Sequence, residues 1–334
     1  MTTNNIKEAA PLIWAEIEKA EKILLHCHPS PDQDSVGSSL AMKMALEGLG
    51  KQVTLMIGDS HIPKWTKFLP SSETIVDKNY FEIEIKDFDL FIILDGNGTN
   101  RVSQLGEIIF PTSLETIVID HHQGEGCGQI NLITTDYPST SSILVDLFKE
   151  LKVNISVDMA LCLMVGLHAD TGGFKYPRTT ANIFSIAAEL ADLAPHFTKV
   201  LNQIYSVNTV GSRRVMGHVL STFELLVDGR LAVGAITQAD FKKLGVDPEE
   251  VHNTGLPTML RDIEGVEVGV ILTEEQSGIT KVSSRSADGE KYDVAAVLKE
   301  FGGGGHKAAA GATIEGPLGE VKKDLIAALT RLLQ

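Results

Sequence analysis

Four separated pieces of the chain each place acidic or imidazole groups at the end of an apolar run. His28-Pro29-Ser30-Pro31-Asp32-Gln33-Asp34 follows Ile23-Leu24-Leu25, and Asp95 ends Phe91-Ile92-Ile93-Leu94. Asp120-His121-His122 follows Ile117-Val118-Ile119, and Asp170 closes Val165-Gly166-Leu167-His168-Ala169. Hard divalent cations favour carboxylate oxygens, and imidazole nitrogen suits Mn²⁺, Fe²⁺ or Zn²⁺. The natural use of so many such ligands is a two-metal hydrolytic centre. Asp32 and Asp34, one residue apart, can point at two neighbouring cations, with His28 reaching the first. Asp95 has two oxygens with which to bridge both ions, and His121 and Asp170 complete the second. Two ions about 3.5–4 Å apart neutralise an attacked phosphoryl group. His122 can then contact a phosphate oxygen or assist proton transfer.

Each motif taken singly is ordinary. An Asp-x-Asp is usually a turn or a helix cap, and Asp34 can cap a helix over Ser35–Leu49. A His-His pair by itself is unremarkable. The weight lies in four such groups recurring in register after apolar stretches. His26 shares a strand face with His28 but fits no ligand slot, so it reads as structural. Cys27 reads as a small buried residue ending a strand.

The elements that must position these groups alternate. Residues 5–20 read as a helix, Lys22–Cys27 as a strand and Ser35–Leu49 as a helix ended by Gly50. Val53–Ile57, Phe88–Leu94, Thr116–Ile119 and Ile130–Thr134 read as strands, and Ser141–Leu151 and Val157–Leu167 as helices. Apolar, non-alternating strands among helices predict an α/β fold, with an N-terminal mostly parallel sheet covered on both faces by helices. Ligands of such sheets bind outside the carboxyl ends of strands, where His28, Asp32, Asp34, Asp95 and His121 fall. Asp170 is expected from a loop after a helix.

Further helices are expected over Thr180–Leu193, Lys199–Tyr205 and Arg213–Leu226. From Arg230 the pattern changes to strands at Leu231–Ile236, Val266–Leu272 and Ile279–Ser283, a helix at Asp293–Phe301 and an amphipathic helix at Leu318–Leu333. A smaller C-terminal α/β domain follows. The expected organisation is a catalytic domain over 1–195, a linker over 196–212 and a substrate-binding domain over 213–334. Gly303, Gly304 and Gly305 within the four-glycine run before His306 allow close backbone approach to a phosphate or base, against the plainer reading of a flexible turn. Arg285 offers a guanidinium suited to bidentate phosphate binding, and Arg101 can serve likewise.

The formal charge of −15 argues against a protein that grips long nucleic acid through its phosphates. A short anionic substrate remains compatible, because bound divalent ions invert the local potential. The three cysteines, Cys27, Cys127 and Cys162, form no Cys-x-x-Cys unit and fit a reducing cytoplasm. The apolar runs are too short to span a bilayer, and the N-terminus carries no export signal.

With these residues in place, the chain resembles the DHH phosphoesterases. The resemblance is carried by His28…Asp32-x-Asp34, Asp95, Asp120-His121-His122 and Asp170-Thr171-Gly172-Gly173-Phe174. Ser284-Arg285-Ser286…Asp293-Val294-Ala295…Phe301-Gly-Gly-Gly-Gly-His306-Lys-Ala-Ala-Ala-Gly311 is similar to the DHH-associated substrate domain. Within the family the layout is most similar to the nano-RNases. The resemblance implies two Mn²⁺ ions, with Mg²⁺ or Co²⁺ as substitutes, on His28, Asp32, Asp34, Asp95, His121 and Asp170. It implies Asp95 and His122 at the reacting centre, and Arg101, Arg285, the glycine-rich loop and His306 on the substrate, held in a cleft between domains. The implied activity is hydrolysis of short RNA to nucleoside 5′-monophosphates, with removal of the 3′-phosphate of pAp beside it, by a homodimer in the cytoplasm. Hydrolysis of linear or cyclic dinucleotides, such as pApA or cyclic di-AMP, is the alternative within enzymes. A non-catalytic nucleotide-binding module is the alternative outside them.

Overall fold

Strands β2 (Lys22–His26), β5 (Leu90–Leu94) and β6 (Glu115–Asp120) carry unbroken apolar runs and are almost wholly enclosed. That pattern suits parallel strands covered on both faces. In the computed structural model, which describes residues 1–206, 209–251 and 254–334, they form the middle of a seven-stranded parallel sheet. Its other strands are β1 (Thr2–Thr3), β3 (Gln52–Met56), β4 (Ile75–Val76) and β7 (Ile130–Ile133), in the order β1-β7-β6-β5-β2-β3-β4.

The chain runs outward from β2 through β3 to β4, then returns to lay β5 against the other side of β2, with Leu24 opposite Phe91. The winding direction reverses between β2 and β5. Such a switch point opens a crevice at the carboxyl ends of the two strands. His28 follows β2 and Asp95 follows β5, so both emerge into it.

One face of this sheet is covered by α1 (Ile6–Lys19), α2 (Gln33–Gly48), α3 (Thr140–Glu150), α4 (Val157–Asp170) and α5 (Ala181–Leu193). The other face differs from the expected helical cover. Leu24, Phe91, Ile93 and Val118 pack there against Tyr80, Ile85, Val102 and Leu114, which come from loops with short 3-10 turns. The turns there, Tyr80–Glu82, Ile85–Asp87 and Thr99–Arg101, are each too short to lay a helix across that face.

Boundaries differ in two places that matter for the site. The side chain of Asp32 caps α2, accepting from Asp34 N and Ser35 N, so Asp34 lies inside the helix. Asp170 is the last residue of α4 rather than part of a loop, because Thr171 continues the backbone bonding to Leu167 O. Beyond α5 come α6 (Phe197–Leu201) and a π-helical turn over Asn202–Ser206.

The chain divides into two units, Met1–Ser206 and Val207–Gln334. The division falls inside the stretch read as a linker, of which Val207 and Asn208 lie outside the described residues. The second unit contains α7 (Val210–Thr222), β8 (Glu224–Leu226), β9 (Leu231–Ile236), α8 (Gln238–Leu244), α9 (Leu256–Arg261), β10 (Val268–Gln276), β11 (Ile279–Ser286), α10 (Val294–Lys299), β12 (Gly304–His306), β13 (Ala309–Glu315) and α11 (Leu318–Leu332). Its mixed six-stranded sheet has the order β12-β13-β11-β10-β9-β8. α10 and α11 cover one face, and α7, α8 and α9 the other.

Glycine lets α2 and α4 touch. A Cβ on Gly37 would stand 2.5 Å from Cys162 O, and one on Gly166 would collide with Ser141 Oγ and Asp34 Oδ1. Overpacking of this kind costs about 1–3 kcal/mol. Gly37→Ala is therefore expected to lower the midpoint of thermal unfolding by roughly 2–12 °C, given about 2–4 °C per kcal/mol for a unit of this size. Calorimetry reads this directly, and an unchanged midpoint would mean that the helices can part without loss.

Candidate metal centre

Asp95 leaves β5 with φ 58°, in the left-handed region that Asp enters more readily than most residues with a Cβ. The turn points its carboxylate into the crevice, where it is 1% exposed. Its two oxygens face different ways. Oδ2 lies 3.3 Å from His28 Nε2, and Oδ1 lies 3.3 Å from His121 Nε2.

The sequence-predicted ligands gather around these two oxygens. His28, Asp32 and Asp95 form one group, and Asp34, Asp95, His121 and Asp170 a second, with donor atoms within 4.8 Å of one another in each. His28 Nε2 stands 3.6 Å from Asp32 Oδ2, and His121 Nε2 stands 3.2 Å from Asp170 Oδ2. Asp120 and His122 join Asp95 and His121 in a third, overlapping group, and Asp95 belongs to all three.

Local bonding fixes how each ligand points. The Nδ1 of His28 is 2.8 Å from Pro29 O. Only an N–H can satisfy a carbonyl there, so Nδ1 carries a hydrogen and Nε2 is the nitrogen left to face a cation. Asp32 uses Oδ1 to cap α2 and leaves Oδ2 for the crevice. Asp34 accepts from Thr140 N at 2.6 Å and Ser141 N at 2.9 Å, the first residues of α3. The orphan amides of that helix start thus hold a carboxylate that comes from another helix.

Cations fit this arrangement. His28 Nε2 and both ring nitrogens of His121 are buried and hydrogen-bond to nothing. Ligands about 2.1 Å from a common ion, at 90–109°, stand about 3.0–3.4 Å apart. The observed spacings of 3.2–3.6 Å are near that range, and none has hydrogen-bond geometry. The residues can hold two divalent ions that share Asp95, and the acidic cluster makes this a divalent-cation-dependent site.

Charge in the pocket is out of balance without such ions. Burial pushes the Asp34 carboxyl well up, and the charges of Asp170 and Asp95 push it further. Burial likewise raises Asp170 to about 6, against the lowering effect of His121. Burial would lower His28, but Asp32 and Asp95 outweigh it and hold the imidazole up to about 10. His121 is raised in the same way by Asp170 and Asp95. Burial would raise Asp95, yet the two imidazoles keep it well below the usual carboxylate range. Protons on the imidazoles thus occupy the electrostatic place of a cation.

Several supporting residues escaped sequence reasoning. Thr140 Oγ1 lies 3.3 Å from Asp95 Oδ1. Asp120 Oδ1 accepts from His121 N and lies 2.9 Å from His122 Nδ1, which orients His122. Asn97 Nδ2 donates to His122 O and Gln123 O, bracing the Asp95 loop against the histidine loop. The run Ser139-Thr140-Ser141-Ser142 was the available signal for the first, since such residues start helices. Asn97 carried no signal that distinguishes a brace from a turn residue.

His26 and Cys27 are fully buried and belong to neither ligand group. His26 Nε2 bonds with Arg101 O at 3.1 Å, and burial pushes its pKa down to about 3. Burial pushes the Cys27 thiol up to about 12. Arg101 sits on a 3-10 turn with its side chain against Gly96. His122 is a third exposed at its side chain.

In the second unit Arg285 lies within β11, opposite Ala309, and His306 lies opposite Ala309 from the other side. Directly opposed residues project to one face, so Arg285 and His306 share a row across the sheet. The glycine run is partly strand rather than turn. Gly303 and Gly305 are required by β13, since a Cβ there would meet Gly311 O or Ala309 O. Gly304 faces open space.

A parallel sheet with a doubly grouped carboxylate–imidazole cluster at its switch point defines a divalent-cation-dependent hydrolase fold. The profile described as "DHH family, N-terminal domain" matches residues 22–167, and that of the "DHHA1 domain" matches residues 231–334. The "bifunctional oligoribonuclease and PAP phosphatase NrnA" of Thermus thermophilus is 30% identical over 305 residues, 90% of this chain and 87% of its own. The protein of the same name from Bacillus subtilis is 25% identical, covering 88% of this chain and 90% of its own. A crystal structure of an exopolyphosphatase-related protein from Bacteroides fragilis superposes with a TM-score of 0.89 at 26% identity over 98% of each chain. The chain belongs to the DHH family of phosphoesterases.

A cation must displace the proton that His28 holds up to a pKa of about 10. Below that value the apparent affinity gains about tenfold per pH unit for each proton displaced. Titration with Mn²⁺ in metal-buffered solution is expected to show affinity climbing by about tenfold or more per unit between about pH 6 and pH 8.5. A flat profile over that interval would remove the imidazoles from the ligand set.

Proposed function

We propose that this phosphoesterase is a manganese-dependent enzyme that degrades very short RNA to nucleoside 5′-monophosphates and removes the 3′-phosphate of pAp. The observation that carries the reading is the placement of Asp95, whose two oxygens face two separate ligand groups. The names of the Thermus and Bacillus relatives support the substrate class. Mixed oxygen and imidazole donors support manganese.

Bound at the two groups, a pair of divalent cations supplies Lewis acidity toward a phosphoryl group and lowers the pKa of a coordinated water. The chain's own residues do the rest. Asp95 keeps the two groups in one geometry. Pro29 O, the start of α3 and the cap of α2 hold His28, Asp34 and Asp32 in their orientations. His122, oriented by Asp120 at Nδ1, contacts a phosphate oxygen or passes a proton through its other nitrogen. Arg285, the run Gly303, Gly304 and Gly305, and His306 serve the far end of the substrate, and Arg101 serves a phosphate.

The formal charge of −15 supports short substrates over long duplexes. No helix among the described residues is long and apolar enough to cross a membrane. The three cysteines are unpaired, which supports a reducing cytoplasm. A homodimer is the assembly we assign.

Product analysis tests the reading. With Mn²⁺ present, an RNA pentamer, a dinucleotide and pAp are all expected to yield nucleoside 5′-monophosphates. Asp95→Ala should lose more activity than the roughly 100-fold that marks the upper range for a group that only supports a ligand. Its circular dichroism should stay unchanged. Full activity in that variant would remove the bridging assignment. Cleavage of dinucleotides alone would narrow the enzyme to a dinucleotide hydrolase, and binding of nucleotides without any Mn²⁺-dependent product would leave a binding module.

A further inference from the structure

Aromatic rings gather near the cluster, and the hydrolytic chemistry leaves them without a task. His168 stands two residues before Asp170 on α4. Its ring lies 4.9 Å from that of Tyr205, tilted by 44°. Phe174 meets His168 edge-on at 6.2 Å and stacks on Phe184 at 5.5 Å.

Phe174 packs against the core, whereas Tyr205 and Phe184 reach the surface. Tyr205 is 39% exposed and Phe184 is 55% exposed. Contiguous exposed apolar surface commonly marks a binding site.

Two irregularities of the backbone converge here. Phe174 has φ 67°, an outlier for a bulky side chain. Such strain persists only where the surroundings enforce it, and it clusters at functional sites. Tyr205 lies on the π-helical turn Asn202–Ser206, a rare form that recurs at functional sites. The two segments are far apart in sequence, yet both aim aromatic rings at His168.

The platform also lies within reach of the cluster. Burial raises the Tyr205 hydroxyl, and the charges of Asp170, Asp32 and Asp34 raise it further. A ligand held by its phosphate at the carboxylate–imidazole groups therefore finds a flat apolar face beside it.

We propose that Tyr205, backed by His168 and Phe174, is a stacking platform for the nucleobase of a nucleotide whose phosphate lies at the cluster. It deepens the reading of the site as one for short RNA and small nucleotides, and rests on it. Every base has a π-face, so stacking accepts any sequence, whereas hydrogen-bonded readout does not. The tyrosine hydroxyl has no part in the recognition.

The test compares two ligands that differ only in the base. AMP and ribose 5-phosphate are titrated calorimetrically into the Mn²⁺-loaded wild-type chain, Tyr205→Ala and Tyr205→Phe. In Tyr205→Ala the Kd for AMP is expected to rise roughly 5- to 150-fold, the range that base–aromatic stacking commands. The Kd for ribose 5-phosphate should stay within about twofold, and Tyr205→Phe should bind AMP as the wild type does. Equal weakening of both ligands, an unchanged Kd for AMP, or equal loss in Tyr205→Phe and Tyr205→Ala would each overturn the platform. Neither ligand is a substrate, so the outcome does not depend on turnover. A wild type with this binding pattern that cleaves neither pAp nor short RNA would sink the hydrolase reading and leave the platform standing.

Discussion

Negative charge shut away from water is the constraint on which the first unit depends. Asp34 and Asp95 are enclosed almost completely, and Asp170 largely so. Carboxylates in such a place must be matched by protons or by cations. The surroundings do not match them fully. α3 gives Asp34 two amide donors, and α2 takes one oxygen of Asp32. Asp32 is thereby anchored through one oxygen and Asp34 through both, and each oxygen keeps a lone pair for a cation. The anchoring is structural, and the remaining lone pairs are what the chemistry uses.

That economy explains the close crossing of α2 and α4. Asp34 near the start of α2 and Asp170 at the end of α4 must face one point, and side chains between the helices would separate them. Gly37 and Gly166 remove those side chains. The reversal of winding between β2 and β5 does the same work for His28 and Asp95, since neighbouring strands deliver both at one level. Helix contact and sheet topology thus converge on the same few cubic ångströms.

Much of this was legible in the sequence, for a physical reason. Parallel strands buried on both faces read as apolar runs, and their carboxyl ends are where such sheets bind ligands. The acids and histidines that close those runs could therefore be picked out before any contact was known. What stayed hidden depended on contacts between distant segments. Asp34 looked like the cap of its own helix, whereas Asp32 is the cap and Asp34 reaches α3. Asn97 as a brace, Thr140 beside Asp95 and Tyr205 against His168 each need the fold to bring together residues that share no local pattern. The loop cover of the second sheet face was hidden too, because Tyr80, Ile85 and Val102 pack inward at turns too short to lay a helix there.

The ligands are spread along the chain from His28 to Asp170, and the last of them ends α4. Synthesis runs from the N-terminus, and a unit of this kind folds as a whole. A nascent polypeptide on the ribosome can therefore present His28 and Asp32 early, but it has no complete second group until α4 has emerged and docked on α2. The second group therefore stays incomplete, and unable to hold its cation, until that helix is in place.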